Sequence, residues 1–160
     1  MAKGEPSVLI DVFKETGITV PKGRRKEALE AAADFIKEQI LLRSGEGKTS
    51  VDGGKWKRSL TPEYKKVKAA ESGVTFANLE LHGDLLDALD ARPESGKVRV
   101  EIDDQSQWGK AEGNLLGTYG QPTEHPEMAR EFMPHKRGQR LHKDIMDGVA
   151  EILRDYAEED

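Results

Sequence analysis

Two stripes of apolar residues organise the chain. From Arg24 to Arg43, Ala28, Leu29, Ala32, Ala33, Ile36 and Ile40 recur at three- and four-residue intervals, so they share one face of a helix. From Gly138 to Ala157, Leu141, Ile145, Val149, Ile152 and Tyr156 fall four, four, three and four residues apart, predicting a long amphipathic helix that packs on a sheet. Between them, Lys97 to Asp103 alternates Val98, Val100 and Ile102 with polar residues, the pattern of a half-buried strand.

Shorter signals fill the gaps. Ser7 to Thr16, with Leu9, Ile10, Val12 and Phe13, predicts a short helix ended by Gly17 in a left-handed cap. Ser44 to Gly54 holds four glycines and no apolar run, which predicts a mobile loop whose return is anchored by Trp56. Thr61 ahead of Pro62 and Glu63 is a capping arrangement and starts a basic helix to about Ala70. Val74 to Leu81 alternates imperfectly, and Asp84 to Leu89 gives one amphipathic helical turn. Gly113, Gly117 and Gly120 around Leu115, Leu116 and Tyr119 predict a turn rather than a regular element.

Strands between helices without a regular βαβ alternation predict an α+β architecture. Its small antiparallel sheet is packed by the long helix of the N-terminal half and by the C-terminal amphipathic helix. Residues 1–20 form an arm with a short helix, and residues 21–160 form a single domain with a flexible loop at 44–54.

Composition sharpens this in three ways. At 160 residues, with 36% hydrophobic and 34% charged, the chain has one modest core and surface that waits for a partner, which favours oligomerisation. The absence of cysteine excludes disulfides and thiolate metal sites and points to a reducing compartment. No segment approaches the roughly 18 apolar residues of a membrane span, so a soluble protein made in a cytoplasm is expected.

The net charge of -5 is unevenly spread. Arg43 to Lys68 carries eight basic residues against three acids, whereas Asp144 to Asp160 carries seven acids against Arg154 alone. Opposite poles of this kind can steer one subunit onto the next, or the basic stretch can face DNA. Lys48, Lys55, Lys57, Arg58, Lys65 and Lys66 are the candidates for such contacts. A DNA-binding module built on residues 43–68 is the alternative of another class, against which the net charge of -5 weighs.

Catalytic motifs find no support. Ser44-Gly45-Glu46-Gly47-Lys48-Thr49 ends like a phosphate-binding loop, but the earlier glycine such a loop needs is replaced by Leu42, and a helix precedes where a strand should. His125, His135 and His142, with Glu124 and Glu127, match no ligand spacing. Glu101 and Asp103 share one side of the predicted strand, with Asp104 next, and read as a solvent face. The expectation is a protein without catalytic residues, metal or cofactor.

Three segments, in order, carry a resemblance. The first is Trp56-Lys57-Arg58-Ser59-Leu60-Thr61-Pro62-Glu63-Tyr64-Lys65 after a glycine-rich loop. The second is Leu79-Glu80-Leu81-His82-Gly83-Asp84-Leu85-Leu86-Asp87-Ala88-Leu89. The third is Gly117-Thr118-Tyr119-Gly120, then Pro126, then Ala129-Arg130-Glu131-Phe132-Met133-Pro134 ahead of the last helix. Together they resemble the virion-morphogenesis and tail-completion (neck) proteins of tailed bacteriophages. His82 replaces the family's usual Thr or Ser, and Glu131 its usual Pro.

The resemblance implies a structural subunit of a virion, assembled in the host cytoplasm, that forms a homo-oligomeric, hexameric ring at the head–tail junction. Its implied partners are neighbouring neck or connector proteins and tail-tube or terminator proteins, with DNA passing through the channel. Head-closure or adaptor rings and tail terminators occupy adjacent layers and are the nearest alternatives. The residues it marks for packing or subunit contact are Trp56, Leu60, Pro62, Tyr64, Leu81, Gly83, Leu85, Leu89, Gly117, Tyr119, Gly120, Arg130 and Phe132. On this reading the arm and the 44–54 loop order on contact with neighbours, and the loop can be deleted without harm to folding.

Overall fold

The computed structural model describes residues 6–56, 84–117, 129–136 and 138–157. The fold is α+β. A three-stranded antiparallel sheet, in the order β1-β3-β2, comprises β1 (Ser7–Ile10), β2 (Leu89–Glu94) and β3 (Lys97–Ile102). The helices are α1 (Val12–Thr16), α2 (Arg25–Gly45), α3 (Asp84–Asp87), α4 (Trp108–Leu116) and α5 (Lys143–Ala157).

The stripe read on α2 is the core of the molecule. Ala28, Leu29, Ala32, Ala33, Ile36 and Ile40 are all buried, and the helix lies against β2 and β3 on one side and α5 on the other. Val98, Val100 and Ile102 of β3 are fully buried, as the alternating pattern requires. The C-terminal helix departs from expectation twice. It starts at Lys143, because Gln139 to Leu141 are engaged in non-helical contacts, and it packs mainly on α2 and α1 instead of on the sheet. Its buried residues are Ile145, Val149 and Leu153, leaving Asp144, Asp147, Glu151 and Asp155 exposed as an acidic outer face. Approach to α2 is close at Gly148, where a Cβ would lie 2.3 Å from the Phe35 ring.

The expected N-terminal helix over residues 7–16 is half strand. Ser7 to Ile10 pair with β3 in the register Ser7↔Glu101 to Ile10↔Val98. Helix α1 begins only after Asp11, whose carboxylate accepts the Lys14 N–H at 3.1 Å, and it ends at Gly17 in the left-handed conformation (φ 70°). Val8 and Ile10 suit a pleated, half-buried surface, and a partner strand decides in its favour. The supposed arm is therefore part of the fold, with Val12 and Val20 fully buried.

Strand β2 has no counterpart in the sequence reading, and it holds Pro93, a residue that sheets confine largely to edges. It is an edge strand, joined to β3 by Ser95 (φ 52°) and Gly96 (φ 76°), a two-residue turn with both residues left-handed that suits the strand twist. The expected turn at 113–122 is a helix as far as Leu116, with Gly117 (φ 76°) ending it. Trp108 fastens this helix to the sheet, its indole N–H donating to the Ile102 carbonyl at 2.8 Å.

Candidate assembly site

The glycine-rich loop expected to be mobile is tied down. The Ser50 N–H donates to the Glu131 carbonyl at 3.3 Å, the Asp52 N–H to the Arg140 carbonyl at 2.9 Å, and the His142 N–H to the Ser50 carbonyl at 2.8 Å. Val51 forms an isolated antiparallel bridge with Leu141, and Trp56 forms another with Arg130. Ser44, Ser50 and Val51 are buried, so removal of residues 44–54 costs part of the core, contrary to the expectation from sequence.

Glu131 stands at the centre of these ties. Its Oε1 accepts the Lys55 N–H at 3.0 Å. Its Oε2 accepts the Gln139 amide at 2.7 Å and lies 3.2 Å from His135 Nε2. Its carbonyl also accepts the Thr49 hydroxyl at 2.7 Å, and its own N–H donates to the Lys55 carbonyl at 2.9 Å. The side chains of Glu131 and His135 are 12% and 7% exposed, so the pair is shielded and His135 Nε2 must carry a proton for the contact to attract. Gln139 Oε1 in turn accepts the N–H groups of His135 and Lys136, at 2.8 and 3.0 Å. Glu131 is thus the hub of a polar clasp joining residues 49–56 to residues 130–136 and 138–142. In the sequence it stands out only as an acid next to Phe132 and as a departure from the resemblance.

Of the residues singled out from the sequence, the structure brings Trp56, Arg130 and Phe132 to this clasp. Trp56 packs against the core, Phe132 is fully buried, and the Arg130 N–H donates to the Asn114 carbonyl at 2.7 Å. Leu85 and Leu89 are fully buried in the core beside β2, and Gly117 caps α4. Lys48 is exposed and 3.6 Å from Glu46, while Lys55 is exposed and lines a shallow cavity of about 200 Å³ with Glu131, Lys136 and Gln139. Leu60, Pro62, Tyr64, Leu81, Gly83, Tyr119, Gly120, Lys57, Arg58, Lys65 and Lys66 lie outside the described residues, as do the helix expected at 61–70 and the alternation at 74–81.

The other candidate groups have structural roles. The Lys48 string closes a helix rather than opening one. His142 Nδ1 accepts the Asp144 N–H at 3.1 Å and so caps α5. Glu101, expected on a solvent face, is only 4% exposed and pairs with Arg92 on the side of the sheet away from α2. There Arg99 binds Glu94, with Nε to Oε2 at 2.6 Å, and this hydrogen bond holds the Glu94 carboxyl below its ordinary value. Asp104 accepts the Ser106 N–H at 3.0 Å. Among the described residues, no cluster of three or more His, Asp or Glu is placed to hold a metal ion, and no helix is long and apolar enough to cross a membrane.

The chain matches no protein-family model, no curated protein and no solved structure.

Proposed function

We propose that the chain is a structural subunit of a tailed-phage virion, a tail-completion or neck protein that assembles with its own copies into a ring at the head–tail junction, and that it acts by packing rather than by catalysis. The observation that carries the reading is spatial. The first and third segments of the resemblance, far apart in sequence, meet where Trp56 bridges Arg130. The second segment supplies Leu85 and Leu89 to the same hydrophobic core that holds Phe132. Motifs that serve one packed unit are what a structural family would retain. The exposed acidic face of α5, with the basic stretch that starts at Arg43, supports association of copies through complementary potentials.

The test is the mass of the purified protein by light scattering at several concentrations, alone and with assembled tails. A discrete ring, or a monomer that becomes a ring only on tails, is the expected result. A monomer indifferent to tails overturns the proposal.

A further inference from the structure

The two edges of the sheet differ. On β2, the Asp103 N–H bonds the Ala88 carbonyl at 2.6 Å, so the ladder's alternation directs the backbone N–H and C=O of Asp90, Arg92 and Glu94 at β3 and turns the backbone polar groups of Leu89, Ala91 and Pro93 away from it. Pro93 has no N–H to offer, and the charged neighbours Arg92 and Glu94 flank it, which are the devices by which edges are blunted against further pairing. On β1, the Ile102 N–H bonds the Pro6 carbonyl at 3.1 Å, so Val8 and Ile10 face β3 while the N–H and C=O of Ser7 and Leu9 point away from the sheet. No partner among the described residues takes these groups. The strand itself, Ser-Val-Leu-Ile, contains neither proline nor charge.

Beside this edge runs a groove of about 670 Å³, walled on one side by Ser7, Val8 and Leu9 and on the other by His135, Lys136, Gly138, Gln139 and Arg140. Its volume falls in the range of about 300–1,000 Å³ typical of ligand sites. Leu9, 40% exposed, is one of two large apolar side chains left open among the described residues, and it offers contact to alternate side chains of an incoming strand. The charges lining the groove are unequal in their engagements. Asp11 is used by the N-terminus of α1, and Glu15 faces Arg140, whereas Lys14 and Lys136 have no ion pair among the described residues.

We propose that the free edge of β1 is a strand-acceptor site that takes an extended, acidic segment of a partner protein. Main-chain bonds to Ser7 and Leu9 supply the affinity, and carboxylates meeting Lys14 and Lys136 supply the selectivity. The inference stands on the strand edge and its groove and does not need the ring.

The full-length protein is titrated against a fluorescent peptide of about six residues, long enough to span β1, alternating glutamate and valine. Saturable binding is expected, read as fluorescence anisotropy and lost when alternate peptide nitrogens are methylated. Leu9→Pro removes an outward N–H, as Pro93 does on β2, without touching a β1–β3 hydrogen bond. It should weaken binding about tenfold or more, a change equivalent to ~1.4 kcal/mol. Should that variant fail to fold, the pair Lys14→Glu and Lys136→Glu leaves the strand intact and should reverse the preference toward a lysine–valine peptide. Absence of binding, or binding indifferent to N-methylation and to the lysine reversal, overturns the proposal. So does self-association that Leu9→Pro abolishes, which would make a second copy the occupant. Peptide binding by a protein that never joins tails would keep this site and remove the ring.

Discussion

Between α2 and the sheet the chain is held by Ile36, Ile40, Val98 and Val100, side chains with no hydrogen-bonding group. Around Glu131 it is held by a carboxylate, an imidazole and an amide, each aimed at a particular partner. Apolar packing is non-directional and roughly proportional to area, so it tolerates changes of pH and salt. A shielded polar network depends on every member, because each loss leaves its partners desolvated and unpaired. The Phe132 side chain is held in the apolar core and the adjacent Glu131 carboxylate in the polar network, so substitutions at the two positions separate the two kinds of cohesion.

The largest expected effect is Phe132→Ala. A fully buried aromatic is removed and a cavity is left, so unfolding free energy should fall by about 3–5 kcal/mol, measured by denaturant titration. Should the loss stay under about 1 kcal/mol, the 129–135 segment is not anchored in the core.

Glu131→Ala should cost less, about 1–3 kcal/mol, since it strands the Lys55 N–H, the Gln139 amide and His135 but opens little apolar volume. Its distinctive signature is local. Amide exchange at Lys55 should accelerate while that of Ile36 changes only with global stability. Equal acceleration at both positions would mean that clasp and core are one cooperative unit.

The smallest effect joins the two regions through α1. Burial raises the Glu15 carboxyl above its ordinary value of 4.5, against the lowering influence of Arg140 and with a minor raising influence from Asp11. For an acid with a raised folded-state value, the folded protein holds the proton more tightly, so the contribution to stability is present below 4.5 and is lost as pH rises through the folded value. Glu15→Gln should therefore match the parent in acid and exceed it modestly near neutrality. Melting temperatures across that range test this, and a variant weaker than its parent at neutral pH would show that Arg140 outweighs burial.

The clasp was nearly invisible beforehand for a physical reason. Trp56 could be singled out because an aromatic after a glycine-rich loop suggests an anchor, whereas Arg130 and Phe132 were marked by the resemblance alone. Glu131 could be noticed only as a departure, since a carboxylate's partners are set by where distant backbone N–H groups come to lie. The glycine-rich loop suggested freedom, but its restraint comes from the Glu131, Arg140 and Leu141 backbones, more than 80 residues away in the chain.

The sequence by itself determined α2, most of α5, strand β3, the helical turn before Leu89 and the stop at Gly17, because each rests on a local rule of period or on a left-handed position that glycine fills at no steric cost. Only the tertiary structure decided that Ser7 to Ile10 is a strand, that the proline-bearing Leu89 to Glu94 is an edge strand, and that α5 lies on α2 instead of on the sheet. A strand is completed by its neighbour and a helix face by whatever reaches it first, so these outcomes depend on contacts between residues far apart in the chain, which local period does not encode.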